Sequence, residues 1–515
     1  MSLNLDNQLN NDTVDLVVIG GGINGVGVAA DAAGRGLSVA LFEADDLASA
    51  TSSWSSKLIH GGLRYLEHYE FRLVREALGE REVLLRMAPH LVTPLRFRMP
   101  HQDKVRPAWM IRIGLFMYDH LAKRATLPGS KGIRFDPAGP VTSAFKKGFE
   151  YSDCKVDDAR LVVMNAKLAE QKGAHIATHH KVTGAKRVGD LWHVTVTPES
   201  GTAFVVKARA VVNAAGPWVR KVLDAMDNVT IDKTIRLVKG SHIIVPKIHD
   251  EDEAYILQNN DGRIVFVIPF HDKYSLIGTT DVDYHTDPRN PEIDDNEIDY
   301  LLKITHDYFN CSVSREDIVW TYSGVRPLMQ GEREEGKAAA KVTRDYHFEV
   351  EDQKGKAPLL SIFGGKLTTY RKLSEAAIKG LKPYFPNMGP AWTASAILPG
   401  GEQLTTPEAY SDELMQRYVF LDRATARRLA FSYGRLAEQW LGKARQATDL
   451  GVRFGDLFKV EVDYLCDHEW AKTVDDIIWR RTKTGIGMSE ENKQRLADYL
   501  SARGAVAKKT EQAVA

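Results

Sequence analysis

The chain is poor in cysteine. Its 515 residues include three thiols, Cys154, Cys311 and Cys466, which lie far apart, are odd in number and form no Cys-x-x-Cys pair. This spacing argues against a disulfide scaffold, a zinc site and a dithiol redox centre. We therefore expect no bound metal and a reducing compartment.

Long hydrophobic runs and an excess of one charge sign are also missing. No apolar run reaches the roughly 18 residues that a spanning helix needs, and the polar stretch 1–13 predicts no signal peptide. The 68 Lys and Arg residues balance the 68 Asp and Glu residues, which removes any global argument for nucleic-acid binding. We expect a cytoplasmic or peripheral protein, in which local clusters supply any attraction to anions or membranes.

A glycine-rich βαβ pattern stands near the start of the chain. An apolar strand runs into Gly20-x-Gly22-x-x-Gly25, and after an alanine-rich helix a second apolar strand ends at Glu43. The first glycine permits a tight turn, the second lets the backbone approach a pyrophosphate, and the third lets the helix lie close to the sheet. The helix N-terminus suits phosphate, and the Glu43 carboxylate suits a ribose diol. The pattern predicts a bound dinucleotide, either NAD or FAD; a ligand-free glycine-rich turn is the alternative.

The length and the changing pattern along the chain predict several domains. A chain of 515 residues is too long for one core and is expected to form about two to four domains. Alternating runs at 181–188, 191–197 and 203–207 predict an antiparallel meander, and the helix-free β-rich stretch 235–281 predicts a separate substrate domain. Charged helices dominate from residue 388 onward, which predicts a helical C-terminal domain.

Five segments together resemble one known family. They are residues 20–25, 51–56, 57–65, 213–218 and 363–370. In this order they resemble the FAD-dependent glycerol-3-phosphate dehydrogenases, in particular the bacterial, aerobic, respiratory form, over residues 14–505. Because several of the segments lie far apart in sequence, they are specific as a set. The resemblance favours FAD over NAD.

The resemblance implies an α/β architecture in three parts. These are a two-dinucleotide-fold, glycine-oxidase-like FAD-binding domain, an antiparallel β substrate or cap domain, and an α-helical C-terminal domain. The expected boundaries are 14–95, 150–234 and 318–384 for the discontinuous FAD-binding domain, 96–149 and 235–317 for the substrate domain, and 388–515 for the helical domain.

The resemblance also assigns the residues that hold FAD. Hydroxyl and N–H groups of the Ser/Thr-rich loop, residues 49–56, are expected beside the pyrophosphate and the flavin, although the loop alone would equally suit a solvated linker. A helix that follows residues 364–366 is expected to face N1 and O2 of the flavin, where Lys366 would stabilise the reduced form. The predicted cofactor set is Gly20, Gly22, Ile23, Asn24, Gly25, Glu43, Thr51, Ser52, Ser53, Ser56, Lys57, His60, Gly61, Ala215, Gly216, Gly364, Gly365, Lys366, Leu367 and Thr368.

The implied substrate is sn-glycerol 3-phosphate. Its phosphate calls for arginine side chains, because a guanidinium donates two hydrogen bonds in one plane. Arg326 is the expected phosphate ligand; for any single arginine, a surface ion pair is the alternative. The predicted substrate set is Arg64, Tyr65, Asp281, Arg326 and Arg344, with Lys366 lining the same pocket.

The implied reaction is hydride transfer from C2 of the substrate to N5 of the flavin, which yields dihydroxyacetone phosphate. The predicted catalytic set is His242, Arg326 and Lys366. The proton of the C2 hydroxyl needs an acceptor within hydrogen-bond reach. His242, His60 and Asp281 are candidates for this base, and the sequence does not decide among them.

Electrons must then leave through a diffusible acceptor, because the sequence has no Fe–S, haem or dithiol pattern. The resemblance implies a membrane quinone, ubiquinone, and peripheral contact with the inner face of the cytoplasmic membrane. Residues 104–118, followed by Lys123 and Arg124, form an apolar stretch with basic flanks that suits such contact; a buried helix is the alternative. The oligomeric state, a homodimer included, is left open.

Three rival functions share parts of this pattern. A peroxide-forming glycerol-3-phosphate oxidase shares the substrate, and a flavin amine or amino-acid oxidase shares the fold. A non-catalytic flavin-binding regulatory protein would use the helical domain as an interaction module. Several cations converging on one cleft would favour a phosphate substrate over an amino acid.

Overall fold

The structure is a computed structural model that describes residues 13–101, 107–199, 201–229, 231, 233–259, 262–329 and 345–514. Arg344 and residues 104–106 of the predicted membrane segment lie outside the described residues. None of the helices within these ranges combines the length and the apolar character that crossing a bilayer requires.

Most of the strands lie before residue 364, and helices dominate the chain after it. The strands are β1 (Thr13–Ile19), β2 (Val39–Phe42), β3 (Leu58–Ile59), β4 (Val92–His101), β5 (Lys131–Arg134), β6 (Lys147–Val156), β7 (His175–Ala177), β8 (His180–Val188), β9 (Leu191–Pro198), β10 (Phe204–Asn213), β11 (Ile235–Pro246), β12 (Ala254–Gln258), β13 (Ile264–Phe270), β14 (Tyr274–Gly278), β15 (Val282–Asp283), β16 (Trp320–Met329), β17 (His347–Gln353), β18 (Lys356–Phe363), β19 (Arg453–Phe454) and β20 (Leu457–Phe458). The helices are α1 (Ile23–Gly34), α2 (Phe71–Met87), α3 (Ala108–His120), α4 (Asp158–Gln171), α5 (Val219–Asp224), α6 (Asp295–Tyr308), α7 (Tyr370–Gly380), α8 (Pro407–Arg417), α9 (Arg423–Tyr433), α10 (Ala437–Leu441), α11 (Lys459–His468) and α12 (Glu490–Val514).

The first sheet carries the predicted dinucleotide pattern. Within the described residues it has eight strands, in the order β17-β18-β10-β1-β2-β7, with β9 paired to β10 and β8 paired to β9. β1 lies parallel to β10 and β2, and Leu16, Val17 and Val18 are fully buried. Continuous apolar strands of this kind are typical of a parallel sheet covered on both faces. α1 packs against α4 and α7, and the predicted meander is confirmed as β8–β9–β10.

The second sheet contains the strands of the predicted antiparallel stretch 235–281, and it extends beyond them. Its described strands follow the order β15-β11-β14-β13-β12-β4-β6-β3, with β16 paired to β11 and β5 paired to β6. β12 and β4 run parallel. The predicted boundaries placed β16 and parts of β4 and β6 in the FAD-binding domain, whereas they pair here. Partners distant in sequence decide this membership, and no local pattern encodes it.

The chain beyond residue 388 forms the predicted helical C-terminal domain. It contains α8 to α12, a π-helical turn at Asp476–Arg481 and the small hairpin β19–β20, which the sequence did not predict. Leu429 and Tyr433 are fully buried and belong to the same apolar core as α1 and α4. The domain therefore packs directly on the first sheet and its helices.

Candidate active site

A cavity of about 610 Å³ lies between the two sheets and is lined by residues of both. Most of the predicted cofactor and substrate residues meet there. The lining includes Gly20, Gly22, Ile23, Asn24, Glu43, Thr51, Ser52, Ser56, His60, Arg64, Tyr65, Ala215, Gly216, Asp281, Arg326, Gly364, Gly365, Lys366, Leu367 and Thr368. Of the predicted residues that the structure describes, those that do not line it are Gly25, Ser53, Lys57, Gly61 and His242.

The first glycine turn leaves no room for side chains. Gly20 has φ +110°, and a Cβ there would lie 2.7 Å from the Ala214 carbonyl oxygen. Gly22 is the N-cap of α1. A Cβ at Gly25 would lie 1.9 Å from the Gly20 carbonyl oxygen, which explains why Gly25 packs against the turn instead of lining the cavity. The N-terminus of α1 thus opens into the cavity beside an extended backbone, an arrangement suited to a pyrophosphate.

Glu43 closes the first-sheet side of the cavity at the end of β2. Its carboxylate accepts hydrogen bonds from the backbone N–H groups of Gly21 at 2.5 Å and Asp45 at 2.8 Å. Burial raises the pKa of Glu43 to about 7, against the opposing effect of these two hydrogen bonds. A partly desolvated acceptor at this place fits a ribose hydroxyl group.

The Ser/Thr-rich loop is pinned on both sides and is not a solvated linker. Ser52 Oγ accepts a hydrogen bond from the Ile23 N–H at 3.0 Å, at the start of α1. Thr51 Oγ1 donates to the Val325 carbonyl oxygen at 2.6 Å, on β16 of the other sheet. The loop therefore joins the two walls of the cavity.

Lys57 and Ser53 support this loop from behind. The Lys57 ammonium donates to Asp158 Oδ1 at 2.8 Å and to the Ser53 carbonyl oxygen at 2.9 Å, and the side chains of Lys57 and Asp158 are buried. Ser53 is buried as well, and its hydroxyl donates to the Ala50 carbonyl oxygen. The structure thus engages the Lys57 charge within the protein, which differs from the predicted contact with the cofactor.

His242 lies one layer behind the cavity wall. Its ring is fully buried, stacks on Tyr322 and has Nε2 2.9 Å from Oγ of Ser56, which does line the cavity. Burial, with added repulsion from Arg326 and Lys57, lowers the pKa of His242 well below its ordinary value. The imidazole is therefore neutral, and it contacts the cavity wall at Ser56.

Gly61 likewise lies behind the cavity wall. Its N–H donates to Tyr118 Oη at 2.8 Å, and the Tyr118 hydroxyl donates to Asp153 at 2.7 Å. Arg81 completes this buried group with a hydrogen bond of 2.7 Å to Asp153. Gly61 itself does not line the cavity, whereas its neighbours His60 and Gly62 do.

Cationic side chains from different parts of the fold line the cavity. Arg326, on β16, donates to Asp281 Oδ1 at 2.5 Å and to Thr279 Oγ1 at 2.8 Å. These two acceptors fix the plane of the guanidinium. Lys366 Nζ lies 3.7 Å from the centre of the Tyr65 ring. Arg64 and Lys366 line the same cavity as Arg326, together with Lys181, Lys221 and Arg289. A convergence of cations is the arrangement expected for a phosphate-bearing substrate.

A second glycine turn follows β18 and meets the first. Gly364 and Gly365 have φ +73° and +100°, and Asn24 Nδ2 donates to the Gly364 carbonyl oxygen at 3.3 Å. Asn24 Oδ1 is buried and has no hydrogen-bond partner within the described part of the chain. An orphaned acceptor between two glycine turns fits the polar groups of a bound dinucleotide.

Several lining residues were missed by sequence reasoning. Among them are Trp54, Asp153, Lys181, Thr279 and Arg289. Trp54 stands alone in a serine-rich loop, which was a usable signal, and Thr279 precedes the predicted Asp281. Asp153 lies within strand β6, where nothing in the local sequence marks it.

Comparison with known proteins agrees with this geometry. Residues 15–371 match the model of the family described as FAD dependent oxidoreductase, and residues 391–510 match the C-terminal domain of alpha-glycerophosphate oxidase. The chain is 54% identical over 491 residues to the aerobic glycerol-3-phosphate dehydrogenase of Escherichia coli (strain K12), covering 95% of this chain and 97% of that protein. The chain belongs to the FAD-dependent glycerol-3-phosphate dehydrogenases.

The chain is also similar to other dehydrogenases and to an oxidase. It is 47% identical to the D-erythritol 1-phosphate dehydrogenase of Brucella abortus (strain 2308), covering 96% of this chain and 99% of that protein. The solved glycerol-3-phosphate dehydrogenase from Bacillus halodurans, complexed with FAD, is 26% identical with a TM-score of 0.72, covering 97% and 96% of the two chains. Glycine oxidase from Bacillus cereus ATCC 14579, at 18% identity and a TM-score of 0.52, covers 74% of this chain and 100% of its own. The predicted FAD cofactor and glycine-oxidase-like fold are confirmed.

Proposed function

We propose that the protein oxidises sn-glycerol 3-phosphate to dihydroxyacetone phosphate and passes the electrons to a membrane quinone. The observation that carries the proposal is one cavity lined by two glycine turns from the first sheet and by several cations, among them Arg64, Arg326 and Lys366. When bound, FAD supplies the hydride acceptor. The named relatives act, by their names, on glycerol 3-phosphate or D-erythritol 1-phosphate, both of which are polyol phosphates.

The chain's own residues then have distinct tasks. The backbone at Gly20 and Gly22 and the N-terminus of α1 receive the pyrophosphate, and Glu43 accepts from the ribose. The turn at Gly364 and Lys366 lies at the flavin, where a positive charge stabilises the reduced ring. All of these residues line the cavity.

The substrate phosphate is held by Arg326 with help from Arg64 and Lys366. Asp281 and Thr279 orient the Arg326 guanidinium, so that it offers its donors in a fixed plane. Tyr65 supports Lys366 through its ring. Arg344 lies just outside the described segment that begins at residue 345, and its role in binding stays a prediction.

For the proton of the C2 hydroxyl, we propose a path through Ser56 to His242. The neutral imidazole can accept at Nε2, which lies 2.9 Å from Ser56 Oγ. We expect His242→Gln, which keeps a polar group near Ser56 but is a poor proton acceptor, to lower kcat about 10²- to 10⁴-fold with FAD content unchanged. The ring stays neutral between pH 6 and 8, so the variant changes the rate and leaves the shape of the pH profile in that range intact.

His249→Gln is the matched control, since His249 is also buried but packs on Tyr255 and Phe309 away from the cavity. In steady-state assays its kcat should stay within about twofold. If His242→Gln retains the full rate, the proton path is wrong, and His60, which lines the cavity, becomes the candidate base.

Helix α3 supports the proposed membrane contact at the inner face of the cytoplasmic membrane. Trp109 is 63% exposed, Ile113 52% and Phe116 61%, and their spacing places them on one face of the helix. Leu115 and Tyr118 are buried on the other face. The helix is thus not the buried core helix that the sequence left as an alternative.

Adding charge to this face should weaken membrane contact. We expect the double variant Trp109→Asp and Phe116→Asp to reduce binding to vesicles of anionic phospholipid at least about tenfold, because each buried apolar side chain contributes about 1.5–3 kcal/mol. Co-sedimentation measures the bound fraction. Val419→Asp, at a site in the C-terminal domain that is 81% exposed, is the control and should bind like the unchanged protein. Equal binding of all three proteins would exclude α3 as the contact.

Flavin absorbance tests the function as a whole. Anaerobic addition of sn-glycerol 3-phosphate to the FAD-loaded protein should bleach the flavin, and a soluble quinone should restore the colour much faster than oxygen. Faster recovery with oxygen, together with peroxide, would indicate the oxidase instead. Bleaching by glycine and not by the phosphate ester would overturn the proposal, as would the absence of bleaching with either. D-erythritol 1-phosphate serves as the comparison substrate and should give a lower kcat/KM.

A further inference from the structure

The wall of the cavity that follows β2 is built from a loop with an unusual backbone. Within residues 43–51, Asp46 and Leu47 do not line the cavity but are buried in the protein. Ala48 has φ +59°, a left-handed conformation that a residue other than glycine keeps only where its surroundings impose it. The residues of this loop that do line the cavity are Glu43, Ala44, Asp45, Ala48, Ser49, Ala50 and Thr51.

The C-terminal domain holds this loop through ion pairs. Arg481 donates to both carboxylate oxygens of Asp46, at 2.7 and 2.8 Å, and Arg480 Nε donates to the same carboxylate at 2.6 Å. The side chains of Arg481 and Asp46 are 0% and 2% exposed. A bidentate ion pair of this kind fixes the relative orientation of the two side chains in addition to pairing their charges. Asp46 lies two residues before Ala48.

Glu469 connects Arg481 to the helices of the first sheet. Its carbonyl oxygen accepts from Arg481 Nε at 3.0 Å, and its carboxylate accepts from Arg160 Nη2, on α4, at 3.0 Å. The side chains of Arg160 and Glu469 are both fully buried. Arg481 is therefore held rigidly with respect to α4, which packs against α1.

A parallel connection reaches the Ser/Thr-rich loop. Lys483 Nζ lies 3.5 Å from Asp157, the N-cap residue of α4. The next residue, Asp158, accepts from Ser55 Oγ at 2.7 Å and from Lys57 Nζ at 2.8 Å. Two loops that line the cavity are thus connected to one short stretch, residues 469–483, of the C-terminal domain.

We propose that the C-terminal domain is a positioning element of the FAD site, which acts through Arg481 on Asp46. The pair sets the backbone of residues 43–51 and so the place of Glu43, against which the cofactor binds. By thermodynamic linkage, FAD binding and the docking of the C-terminal domain strengthen each other. The proposal concerns FAD alone, so the failure of any substrate assay leaves it untouched.

The test compares FAD affinity with overall stability in the full-length protein. We expect Arg481→Met to raise the Kd for FAD about tenfold or more, since couplings between sites typically amount to about 5- to 150-fold. The rise in Tm on adding FAD to apoprotein should shrink accordingly. Fluorescence quenching on titration of apoprotein with FAD gives the Kd, and thermal melts with and without FAD give the shift. Asp46→Asn, which keeps the side-chain shape, is the second variant and should show the same two changes.

Arg428→Met is the matched control. Arg428 pairs with Glu461 inside the C-terminal domain, so its loss should lower the Tm of the apoprotein and the FAD-bound protein equally and leave the Kd for FAD within about twofold. If Arg481→Met or Asp46→Asn lowers both Tm values equally without changing the Kd, the pair is merely structural and the proposal is wrong. The same holds if Arg428→Met weakens FAD binding as much as they do.

Discussion

Replacing Arg326 by alanine is expected to raise the KM for sn-glycerol 3-phosphate about 10²- to 10⁴-fold while the FAD content stays unchanged. Each hydrogen bond to a charged group contributes about 1.5–3 kcal/mol, so two bonds to the phosphate correspond to this factor at about 1.4 kcal/mol per tenfold. The loss also removes the positive charge that lies 2.5 Å from Asp281, so the substrate phosphate would face that carboxylate without the guanidinium between them. Steady-state assays with a soluble quinone measure the KM, and the ratio of flavin to protein absorbance measures the FAD content.

The control for Arg326 lies on the same sheet. Arg236 forms an ion pair with Asp283, two positions beyond Asp281, but neither residue lines the cavity. Arg236→Ala should leave the KM within about twofold, because partly exposed ion pairs contribute about 0–1 kcal/mol. Loss of FAD from Arg326→Ala would show that Arg326 holds the fold and not the phosphate. An unchanged KM would remove it from the substrate site altogether.

The turns of the cofactor site could be predicted because glycine acts locally. At Gly20 the positive φ and the nearby Ala214 carbonyl exclude a side chain, and at Gly364 and Gly365 positive φ values do the same. Such requirements are visible in the residue type itself. The apolar alternation that predicted β8, β9 and β10 is likewise a property of neighbouring residues.

What the sequence could not show was where charged side chains point. Lys57 and His242 stand in suggestive motifs, yet Asp158 engages the first and Ser56 separates the second from the cavity. Each partner is more than a hundred positions away, and the fold alone brings them together. For the same reason the sequence did not show that β16 belongs to the second sheet. Its partner strand β11 is distant in sequence, and only the fold brings the two together.

The contacts of the C-terminal domain were the hardest to predict from the sequence. Its sequence indicates charged helices, and charged helices usually present solvated faces. Instead Arg160, Arg481 and Glu469 are fully buried, since each charge finds an opposite partner across the domain boundary. Burying these charges without partners would be very unfavourable, and each partner belongs to the other domain. The composition of either domain alone therefore does not predict that these side chains are buried.

Replacing Gly25 by alanine is expected to lower FAD affinity at least about 10²-fold. The new Cβ would lie 1.9 Å from the Gly20 carbonyl oxygen and 3.0 Å from its carbon. Both are backbone atoms, and Gly20 is itself backed by the Ala214 carbonyl, so the helix α1 must shift. Overpacking of this kind costs about 3 kcal/mol, or roughly 10²-fold, and the shift moves the N-terminus of α1 away from the pyrophosphate position.

Gly79→Ala separates this effect from a general response to alanine. Gly79 lies in α2, and a Cβ added there would have no atom of the described residues within 4 Å. Alanine at this position should therefore stabilise the protein by about 0.4–1 kcal/mol and leave FAD binding unchanged. Far-UV circular dichroism should show folded protein for both variants, while the flavin-to-protein absorbance ratio falls for Gly25→Ala alone. Full FAD content in Gly25→Ala would mean that the turn can relax. The close approach of helix and strand would then not be what holds the pyrophosphate, and the anion would depend on the Ser/Thr-rich loop instead.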